Sequence, residues 1–314
     1  MTENIAIIIL NYKNYEDTIT CIDSILRSDN SGYTIFVVDN ASNNESLKRI
    51  QEAFTAALDV LHYDQSFNSS QIKNDKTLLL VQHNKNAGYA AGNNVGLRLA
   101  TSLGFKYSMV LNNDTIFNNT DLSRLKFVLD TKEDALVVGP LLFKEDGIQV
   151  DYNCAKRRPT YFDFFRLSYF GQIFKTDSWK RKYYYLFGRK NLVSPVEVDL
   201  ISGSCMMFNA EKLHRIDYYD EATFLYYEED ILCEKARRQG YKFYFQPQTS
   251  LIHLGAKTMK NHSHSEITLR SSYDSALYYL TKWRRTPKLF AKMILLSKYL
   301  FMELYLMKKK IASR

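Results

Sequence analysis

The stretch NIAIIILNY (Asn4–Tyr12) decides the fold class. It is a continuous run of β-branched and other apolar residues, which is typical of a strand buried on both faces of a sheet. A segment with helical apolar spacing follows at residues 15–28, and a second apolar strand follows at Tyr33–Asn40. Strands that alternate with helices in this way predict an α/β protein with a mostly parallel sheet.

The same alternation continues along the chain. Further strands are predicted at Lys76–Gln82, Tyr107–Asp114, Ala135–Phe143 and Lys242–Gly255, with helices at Leu47–Leu58 and Tyr89–Leu103 and a strand–turn–strand–helix pattern over Val196–Leu213. The polar segment Asp59–Asp75 is predicted to be a loop. We expect one continuous body with a C-terminal tail, since the chain contains neither an internal repeat nor a low-complexity linker.

The composition is that of a globular protein with two basic segments. Hydrophobic residues make up 46% and charged residues 24% of the 314 residues. Residues 156–190 carry a formal charge of +8 and residues 282–314 carry +9, so the remainder carries −9. An acidic body with two basic attachments argues against a protein that coats nucleic acid.

A cytoplasmic location is predicted. Residues 1–4 lead directly into the first strand, which does not fit a signal peptide, and no apolar stretch is long enough to span a bilayer. The cysteines show no metal-ligand spacing and are expected to be reduced thiols. They are Cys21, Cys154, Cys205 and Cys233.

Polar residues follow the apolar runs of four predicted strands. They are Asn11, Asp39–Asn40, His83–Asn86 and Asn112–Asp114. Ligands of open α/β sheets bind beyond the carboxyl ends of the strands, so this edge is the predicted binding site. Asn and Asp also favour turns, which is the alternative for each of them taken alone.

Asp114, in LNNDT, is the candidate ligand of a divalent cation. Mg²⁺ or Mn²⁺ takes one or two protein carboxylates, and substrate phosphates complete its shell. An Asx turn is the alternative. His253, at the end of a predicted strand, joins such a site only if the fold brings it beside Asp114; otherwise it is a core histidine.

Gly88, Gly92 and Gly96 lie four residues apart on one face of a predicted helix. Glycine costs about 1 kcal/mol in a helix interior, so something is expected to approach that face closely. Tight packing on the sheet and contact with a ligand are both open for Gly92 and Gly96. The spacing is not G-x-G-x-x-G, so a dinucleotide-binding fold is not predicted.

The stretch FLYYEEDILCEKARRQGY (Phe224–Tyr241) places three consecutive carboxylates at the start of a predicted helix. The buried stripe of that helix is predicted to consist of Leu232, Cys233 and Ala236, and its solvent side of Asp230, Glu234 and Arg237. Acids in a first turn complement the helix dipole, which explains Asp230. Glu229 falls on the buried stripe, where a carboxylate needs a partner or a task, and Glu228 lies between the two.

Seven segments taken together resemble a known family. They are IAIIILNYKNYEDTITCIDSIL, FVVDNASNNES, NAGYAAGNNVGLRLA, MVLNNDTIF, ISGSCMMFNAEKLHRI, YYDEATFLYYEEDILCEKARRQGYKFYF and SLIHLGAKT, which span residues 4–257. The chain resembles the glycosyltransferase family 2 enzymes, especially the bacterial rhamnosyltransferase-like branch that builds surface polysaccharides. The resemblance implies a GT-A domain at residues 1–260, with a nucleotide-binding half at 1–115, an acceptor half at 116–260 and a tail at 261–314.

The resemblance also implies roles for individual residues. The family's metal motif falls on Asn112, Asn113 and Asp114, with Asp114 as the main ligand of Mg²⁺ or Mn²⁺ and His253 near the metal and the diphosphate. Asp39 would contact the base or ribose, with Asn40 beside it. The remaining substrate-binding candidates are Asn86, Gly88, Asn93, Gly203 and Ser204, to which the strand-end pattern adds Asn11.

The catalytic acid of the family falls on Glu229, with Glu in place of the usual Asp, when the motif is aligned on Leu232 and Cys233. A shift by one residue would make Asp230 the base. The implied reaction is inverting transfer of a sugar, with rhamnose as one candidate, from a nucleoside-diphosphate donor to a saccharide acceptor. Glu229 would take the proton of the acceptor hydroxyl, and the metal would offset charge on the leaving group.

The two basic segments are expected to serve the acceptor. Residues 156–190 interleave aromatic and basic side chains, which suits sugar stacking and pyrophosphate binding; a lid or an oligomer contact is the alternative. Residues 282–314 are expected to lie on the inner face of an anionic membrane, with packing on the domain or in a homodimer as the alternative. A polyprenyl-diphosphate-linked acceptor would account for both segments.

Two other functions stay open at this stage. A nucleotidyltransferase that makes an activated sugar can share this sheet and metal, but LNYKNYED lacks the expected glycine-rich signature. A non-catalytic carbohydrate-binding scaffold could retain the fold without the chemistry.

Overall fold

The computed structural model describes residues 2–64, 67, 69–73, 76–189, 192–255 and 265–312. The strands are β1 (Thr2–Asn11), β2 (Tyr33–Asn40), β3 (Asp59–His62), β4 (Thr77–His83), β5 (Phe105–Asn112), β6 (Thr115–Phe117), β7 (Ala135–Phe143), β8 (Ala155–Lys156), β9 (Val196–Val198), β10 (Leu200–Ile201), β11 (Cys205–Asn209) and β12 (Lys242–His253). The helices are α1 (Tyr15–Leu26), α2 (Ser46–Phe54), α3 (Tyr89–Ser102), α4 (Leu122–Thr131), α5 (Tyr161–Arg166), α6 (Asp177–Tyr183), α7 (Ala210–Arg215), α8 (Glu228–Arg238), α9 (Glu266–Tyr278), α10 (Lys288–Ile294) and α11 (Leu296–Ala312).

One large sheet forms the centre of the molecule, in the order β3-β4-β2-β1-β5-β11-β7-β12-β6, with β9 paired to β12. The half from β3 to β5 is parallel, and β11 runs antiparallel to β5 and β7. The predicted α/β class with a mostly parallel sheet is confirmed. Since β2 and β5 lie on opposite sides of β1, the chain reverses its winding there, and ligands of such sheets bind at that switch point.

Burial of β1 explains why its sequence is uniformly apolar. Its central residues from Ile5 to Ile9 are at most 1% exposed, because α3 packs across β1, β2 and β5. A Cβ on Gly92 would lie 2.6 Å from Leu10 Cδ1, and one on Gly96 would lie 2.6 Å from Ile8 Cγ2. These two glycines therefore allow α3 to pack tightly on the sheet.

The sequence-based boundaries differ from the structure at several places, two of which bear on the sheet and the site. The predicted loop at residues 59–75 begins with strand β3, which pairs with β4 at the sheet edge although its side chains are only partly buried. An edge strand without a buried face carries no strong apolar pattern, so this prediction was wrong there. Strand β5 ends at Asn112, and Asp114 lies in the turn that leads to β6.

The C-terminal helices pack on the domain. A second hydrophobic cluster joins them to α5 and α8; it consists of Phe164, Ile231, Ala276, Tyr279, Leu280, Ala291 and Leu295. Leu295, Met302 and Leu306 are buried, so one face of α11 is covered. No helix in the described ranges is long and apolar enough to cross a membrane. The predicted boundary between domain and tail, at residues 260–261, lies outside the described residues.

Candidate active site

Asp39, at the end of β2, is the centre of a hydrogen-bond network. Its Oδ1 accepts from Asn11 Nδ2 at 2.7 Å and from Ser42 Oγ at 2.5 Å. Its Oδ2 accepts from the Ser42 N–H at 3.0 Å and from Gln82 Nε2 at 3.1 Å. Both oxygens of this buried carboxylate are thus held in place. Neither Ser42 nor Gln82 was predicted, although a serine three residues after an aspartate is typical of a turn.

A polar cavity of about 210 Å³ opens beside Asp39. It is lined by Asp39, Ala41, Asn43, Asn44, Leu47, Gln82, His83 and Asn84. Ala41 and Asn43 adopt left-handed backbone angles, with φ of 56° and 51°, so the loop after β2 curls around the cavity. Its place at the carboxyl ends of β2 and β4 suits the base or ribose of a nucleotide.

Asn40 connects this cavity to the start of α3. Its Oδ1 lies 3.1 Å from His83 Nδ1, and its Nδ2 donates to Asn86 Oδ1 at 3.0 Å and to the Gly88 carbonyl at 3.2 Å. Gly88 has φ of +98°, and a Cβ there would lie 2.2 Å from the Phe224 carbonyl oxygen. Only glycine therefore allows the loop that precedes α8 to approach the start of α3.

The side-chain NH₂ groups of two predicted substrate-binding residues donate hydrogen bonds within the protein. Asn93 is buried, and its Nδ2 donates to the Tyr89 carbonyl at 3.0 Å. Its Oδ1 has no hydrogen-bond partner within the described part of the chain. Asn113 Nδ2 donates to the Asn14 carbonyl at 3.2 Å and to Thr18 Oγ1 at 3.1 Å, so it holds α1 in place.

Asp114 and His253 meet at the end of β12. Asp114 Oδ2 lies 3.5 Å from His253 Nε2, and Asp151 Oδ2 lies 3.6 Å from His253 Nδ1. Burial acts to lower the pKa of His253, but hydrogen bonding and charge from the carboxylates of Asp114 and Asp151 outweigh it and raise the pKa to about 9. The fold thus brings His253 beside Asp114, which was the condition for its joining a cation site. Asp151 carried no signal in the sequence, because it lies in an irregular segment after β7.

Asp114 and His253, hereafter the cation corner, fit a divalent cation whose coordination shell would be completed by the substrate. Two ligands at about 2.1 Å from one octahedral ion lie roughly 3 Å apart, close to the separation of Asp114 and His253. In the ranges that the structure covers, no group of three or more His, Cys, Asp or Glu side chains could hold a metal ion. The remaining ligands would be diphosphate oxygens and water, which Mg²⁺ and Mn²⁺ commonly retain.

The turn before β11 joins the cation corner to Glu229. The Gly203 N–H donates to Glu229 Oε1 at 2.9 Å. Ser204, the next residue, places its Oγ 3.3 Å from His253 Nε2. Adjacent residues of one turn therefore contact the candidate base and the candidate metal ligand.

Tyr89 is a further residue of this site that was not predicted. Its hydroxyl donates to the Gly203 carbonyl at 2.8 Å and lies 3.2 Å from Asn112 Oδ1. The first turn of α3 thereby braces the Gly203 turn against the end of β5. Periodicity assigned Tyr89 to a helix but said nothing about where its hydroxyl would point.

The three consecutive acids of α8 have three different environments. Glu228 is 4% exposed, and its Oε1 has no hydrogen-bond partner among the described residues. Burial, followed by the charge of Glu229, raises the pKa of Glu228 well above its usual range, which favours its neutral form. Glu229 is half-buried and is held by Gly203. Asp230 is half-buried, and burial raises its pKa to about 6 although the charge of Lys156 opposes this.

The predicted faces of α8 were wrong for its acids. Glu228, predicted to lie between the buried stripe and the solvent side, is buried, whereas Glu229, predicted on the buried stripe, is half-buried, as is Asp230, predicted on the solvent side. Glu234 is buried, and its Oε1 accepts from Arg158 Nε at 2.5 Å and from the Tyr279 hydroxyl at 3.1 Å. Ile231, next to the predicted buried stripe, is also fully buried. The basic segment at residues 156–190, hereafter the insertion, and the C-terminal helices cover this side of α8, which the periodicity of one helix does not reveal.

The fold is that of a GT-A protein, in which the polar cavity beside Asp39, the Asp114–His253 pair and the Glu229 carboxylate lie near the carboxyl ends of the strands. The model of glycosyl transferase family 2 matches residues 6–216, and the chain belongs to this family. It is 25% identical to the low-salt glycan biosynthesis hexosyltransferase Agl10 of Haloferax volcanii over 295 aligned residues. The alignment covers 94% of this chain and 79% of Agl10.

Two solved structures share the fold. The mannosyltransferase PcManGT from Pyrobaculum calidifontis, in complex with GDP-Man and Mn²⁺, aligns with a TM-score of 0.56 at 16% identity, over 96% of this chain and 70% of its own. S. aureus TarS 1–349 in complex with UDP-GlcNAc aligns with a TM-score of 0.54 at 14% identity, over 93% and 70%. The predicted GT-A fold is confirmed.

Proposed function

We propose that the chain is a metal-dependent, inverting hexosyltransferase that moves a sugar from a nucleoside-diphosphate donor to a saccharide acceptor in the synthesis of a cell-surface polysaccharide. The observation that carries this proposal is the Gly203–Ser204 turn, which contacts Glu229 through one residue and His253 through the next. Inverting transfer needs a base for the acceptor and charge stabilisation for the leaving diphosphate on opposite sides of one anomeric carbon.

In this proposal the two halves of the domain divide the work. Residues 1–115 bind the nucleotide, with Asp39 and Asn40 at its base and ribose. Asp114 and His253 would hold Mg²⁺ or Mn²⁺, and the bound cation would offset negative charge on the diphosphate. The remaining donor-side candidates are Asn11, Asn86, Gly88, Asn93, Asn112, Asn113, Gly203 and Ser204.

Glu229 is the proposed base on the acceptor side, within residues 116–260. Its Oε1 is fixed by the Gly203 N–H, which orients the carboxylate before the acceptor arrives. Burial and the charge of Glu229 raise the pKa of its neighbour Glu228, which favours the neutral form of Glu228 and reduces the negative charge beside Glu229. Glu229 can then accept the proton of an acceptor hydroxyl as that oxygen attacks the anomeric carbon.

The comparisons support the donor class. Agl10 is named as a hexosyltransferase, PcManGT was solved with GDP-Man and Mn²⁺, and TarS with UDP-GlcNAc. We extend this to a nucleotide hexose as donor for the present chain. A 6-deoxyhexose such as rhamnose stays a candidate from the resemblance alone.

A screen of nucleotide sugars tests this function. We expect one donor, with Mn²⁺ or Mg²⁺, to raise the melting temperature and to release its nucleoside diphosphate slowly, with water as acceptor. Release of pyrophosphate from a nucleoside triphosphate and a sugar phosphate would instead show a nucleotidyltransferase. Binding of sugar without any turnover would show a scaffold.

We also propose that the tail lies on the inner face of the cytoplasmic membrane. The apolar residues exposed on α11 follow one stripe; they are Leu296, Leu300, Leu304, Met307 and Ile311. The basic cluster Lys308–Lys310 ends the helix. Flotation with anionic vesicles should fall when these lysines are replaced by glutamine, whereas unchanged flotation, or a dimer that buries the stripe, would contradict membrane contact.

A further inference from the structure

An apolar groove of about 730 Å³ lies between the insertion and the tail. Its walls are chiefly Phe162, Phe165 and Phe170 on one side and Met293, Leu296 and Leu300 on the other. Phe162 is 53% exposed, Met293 63% and Leu296 52%, so the groove leaves a large apolar surface open. Monomers rarely expose apolar patches of this kind unless the patch binds something.

The groove is a built feature and not a gap between loose segments. Tyr169 of the insertion stacks on Phe301 of α11, with ring centroids 4.5 Å apart. The hydroxyls of Ser168 and Ser297 lie 2.7 Å apart. These contacts fix the two walls relative to each other, and the volume is within the usual range for a ligand-binding cleft.

Two contacts place the groove next to the acceptor side of the active site. Phe164, between groove residues Phe162 and Phe165, stacks on Tyr227 with ring planes 4° apart and centroids 6.0 Å apart. Lys298, next to groove residue Ser297, puts Nζ 3.4 Å from the Tyr227 hydroxyl. Tyr227 directly precedes Glu228 and Glu229. A ligand that fills the groove would thus lie near Tyr227, the residue that precedes the acids of α8.

The charge around this end favours an anion. Lys298, Lys156 and Arg284 all interact electrostatically with Asp230, on which the carboxylates of Glu229 and Glu234 also act. Burial lowers the pKa of Lys298 to about 8, and the charge of Asp230 opposes this. Residues 156–190 and residues 282–314 carry +8 and +9, so this surface suits a negatively charged occupant.

We propose that the groove binds the hydrocarbon chain of a lipid phosphate that carries the acceptor saccharide, with the phosphate held near Lys298. This inference rests on the proposed glycosyl transfer and assigns its acceptor a site. A second copy of the chain fits less well, because an isologous contact would press two strongly positive surfaces together. A bilayer surface would cover the exposed stripe of α11. A concave groove with two fixed walls suits one hydrocarbon chain instead.

Binding of a labelled prenyl phosphate tests the site without any nucleotide sugar. The probe is a dansyl-labelled farnesyl monophosphate, followed by fluorescence anisotropy and competed with geranylgeranyl monophosphate, geranylgeraniol or inorganic phosphate. We expect saturable binding that geranylgeranyl monophosphate displaces at least ten times better than the alcohol or inorganic phosphate. Lys298→Met should reduce this preference over the alcohol to about two-fold or less.

The groove variant Leu296→Gln/Leu300→Gln should weaken probe binding at least ten-fold. Both side chains are exposed, so the fold should tolerate the change, and the melting temperature checks this. Phe127→Gln, which removes an equally exposed apolar side chain from α4, is the matched control and should bind as the wild type does.

Three results would overturn the proposal. The first is the absence of saturable binding, or equal binding by the groove variant. The second is a wild-type dimer, seen by light scattering, that the groove variant converts to a monomer. The third is a groove variant that loses vesicle flotation while its probe binding is unchanged. Failure of nucleotide-sugar turnover alone would reject the proposed function and leave the probe measurement unaffected.

Discussion

Asp39 and the acids at the start of α8 are carboxylates of the proposed active site, yet the protein surrounds them in opposite ways. Asp39 receives hydrogen bonds from Asn11, Ser42 and Gln82 on both of its oxygens. Glu229 receives one from Gly203, and the Oε1 of Glu228 has no partner in the described residues. A carboxylate saturated with donors is a fixed binding group, whereas a carboxylate with few donors stays available for protons.

The difference has an energetic consequence. Burial, followed by the charge of Glu229, raises the pKa of Glu228 against backbone hydrogen bonds that lower it, which favours its neutral form. Burial also raises the pKa of Asp230 to about 6, although the charges of Lys156 and Arg284 oppose this. Burial therefore shifts both neighbours of Glu229 towards their neutral forms, whereas the Glu229 carboxylate receives a hydrogen bond from the Gly203 N–H.

The largest effect is expected from removing the Asp39 carboxylate, which lies in the proposed nucleotide-binding half. Asp39→Ala leaves the buried donors of Asn11, Ser42 and Gln82 without their acceptor, which should cost about 2–4 kcal/mol of unfolding free energy. Nucleotide-sugar binding should fall below detection at the same time. Urea unfolding and calorimetric titration measure the two losses, and Asp23→Ala on the exposed face of α1 is the control. A folded Asp39→Ala variant with normal donor affinity would contradict the role of this network.

The next largest effect is expected at the cation corner. Asp114→Asn keeps the size of the side chain but removes its charge, and it should lower diphosphate release by about 10²–10³-fold. EDTA should abolish release by the wild type, and Mn²⁺ should restore it. Restoration of Asp114→Asn to wild-type rate by the same Mn²⁺ concentration would show that Asp114 does not hold the ion.

A smaller effect is expected from displacing Glu229 without changing it. In Gly203→Ala the new Cβ would lie 2.5 Å from Glu229 Oε1, so the carboxylate must move. Misplacement of a reacting group by about 1 Å can cost up to roughly 10²-fold, and we expect a loss of about 10–10²-fold in kcat. The KM for the donor should stay within about two-fold. A variant that raises this KM and leaves kcat intact would place Gly203 at the donor instead.

The smallest effect on transfer is expected at Asp230. Asp230→Asn should keep activity within a few-fold and should be more stable than the wild type at pH 7. Because burial raises the folded pKa of Asp230 to about 6, the wild type loses stability as the pH rises from about 4 towards 6 and above. The variant should therefore gain about 1–3 kcal/mol above pH 6 and nothing below pH 4. Urea unfolding between pH 4 and pH 8 measures this, and an inactive Asp230→Asn would shift the base by one residue.

Sequence reasoning worked where the signal is local. Apolar runs located the strands, and polar residues at their ends located Asp39 and Asp114 because parallel strands end at one edge. Helical phase correctly placed Leu232, Cys233 and Ala236 in the core.

It failed where distant segments meet. Asp230 and Glu234 were placed in solvent, because nothing in α8 reveals that the insertion and the tail cover it. Asp151 and Tyr89 reach the site through an irregular turn and a helix start, and their partners are far away in sequence. The edge strand β3 was missed for a different reason, since an edge strand buries too little to show a pattern.

The most direct test compares donor binding and diphosphate release in Glu229→Gln. Glutamine keeps the shape of the side chain and can still accept a hydrogen bond from the Gly203 N–H, but it cannot take a proton. We predict that donor affinity stays within about two-fold of the wild type while release falls by about 10²–10⁴-fold. Release at more than about a tenth of the wild-type rate would contradict the assignment of Glu229 as the base.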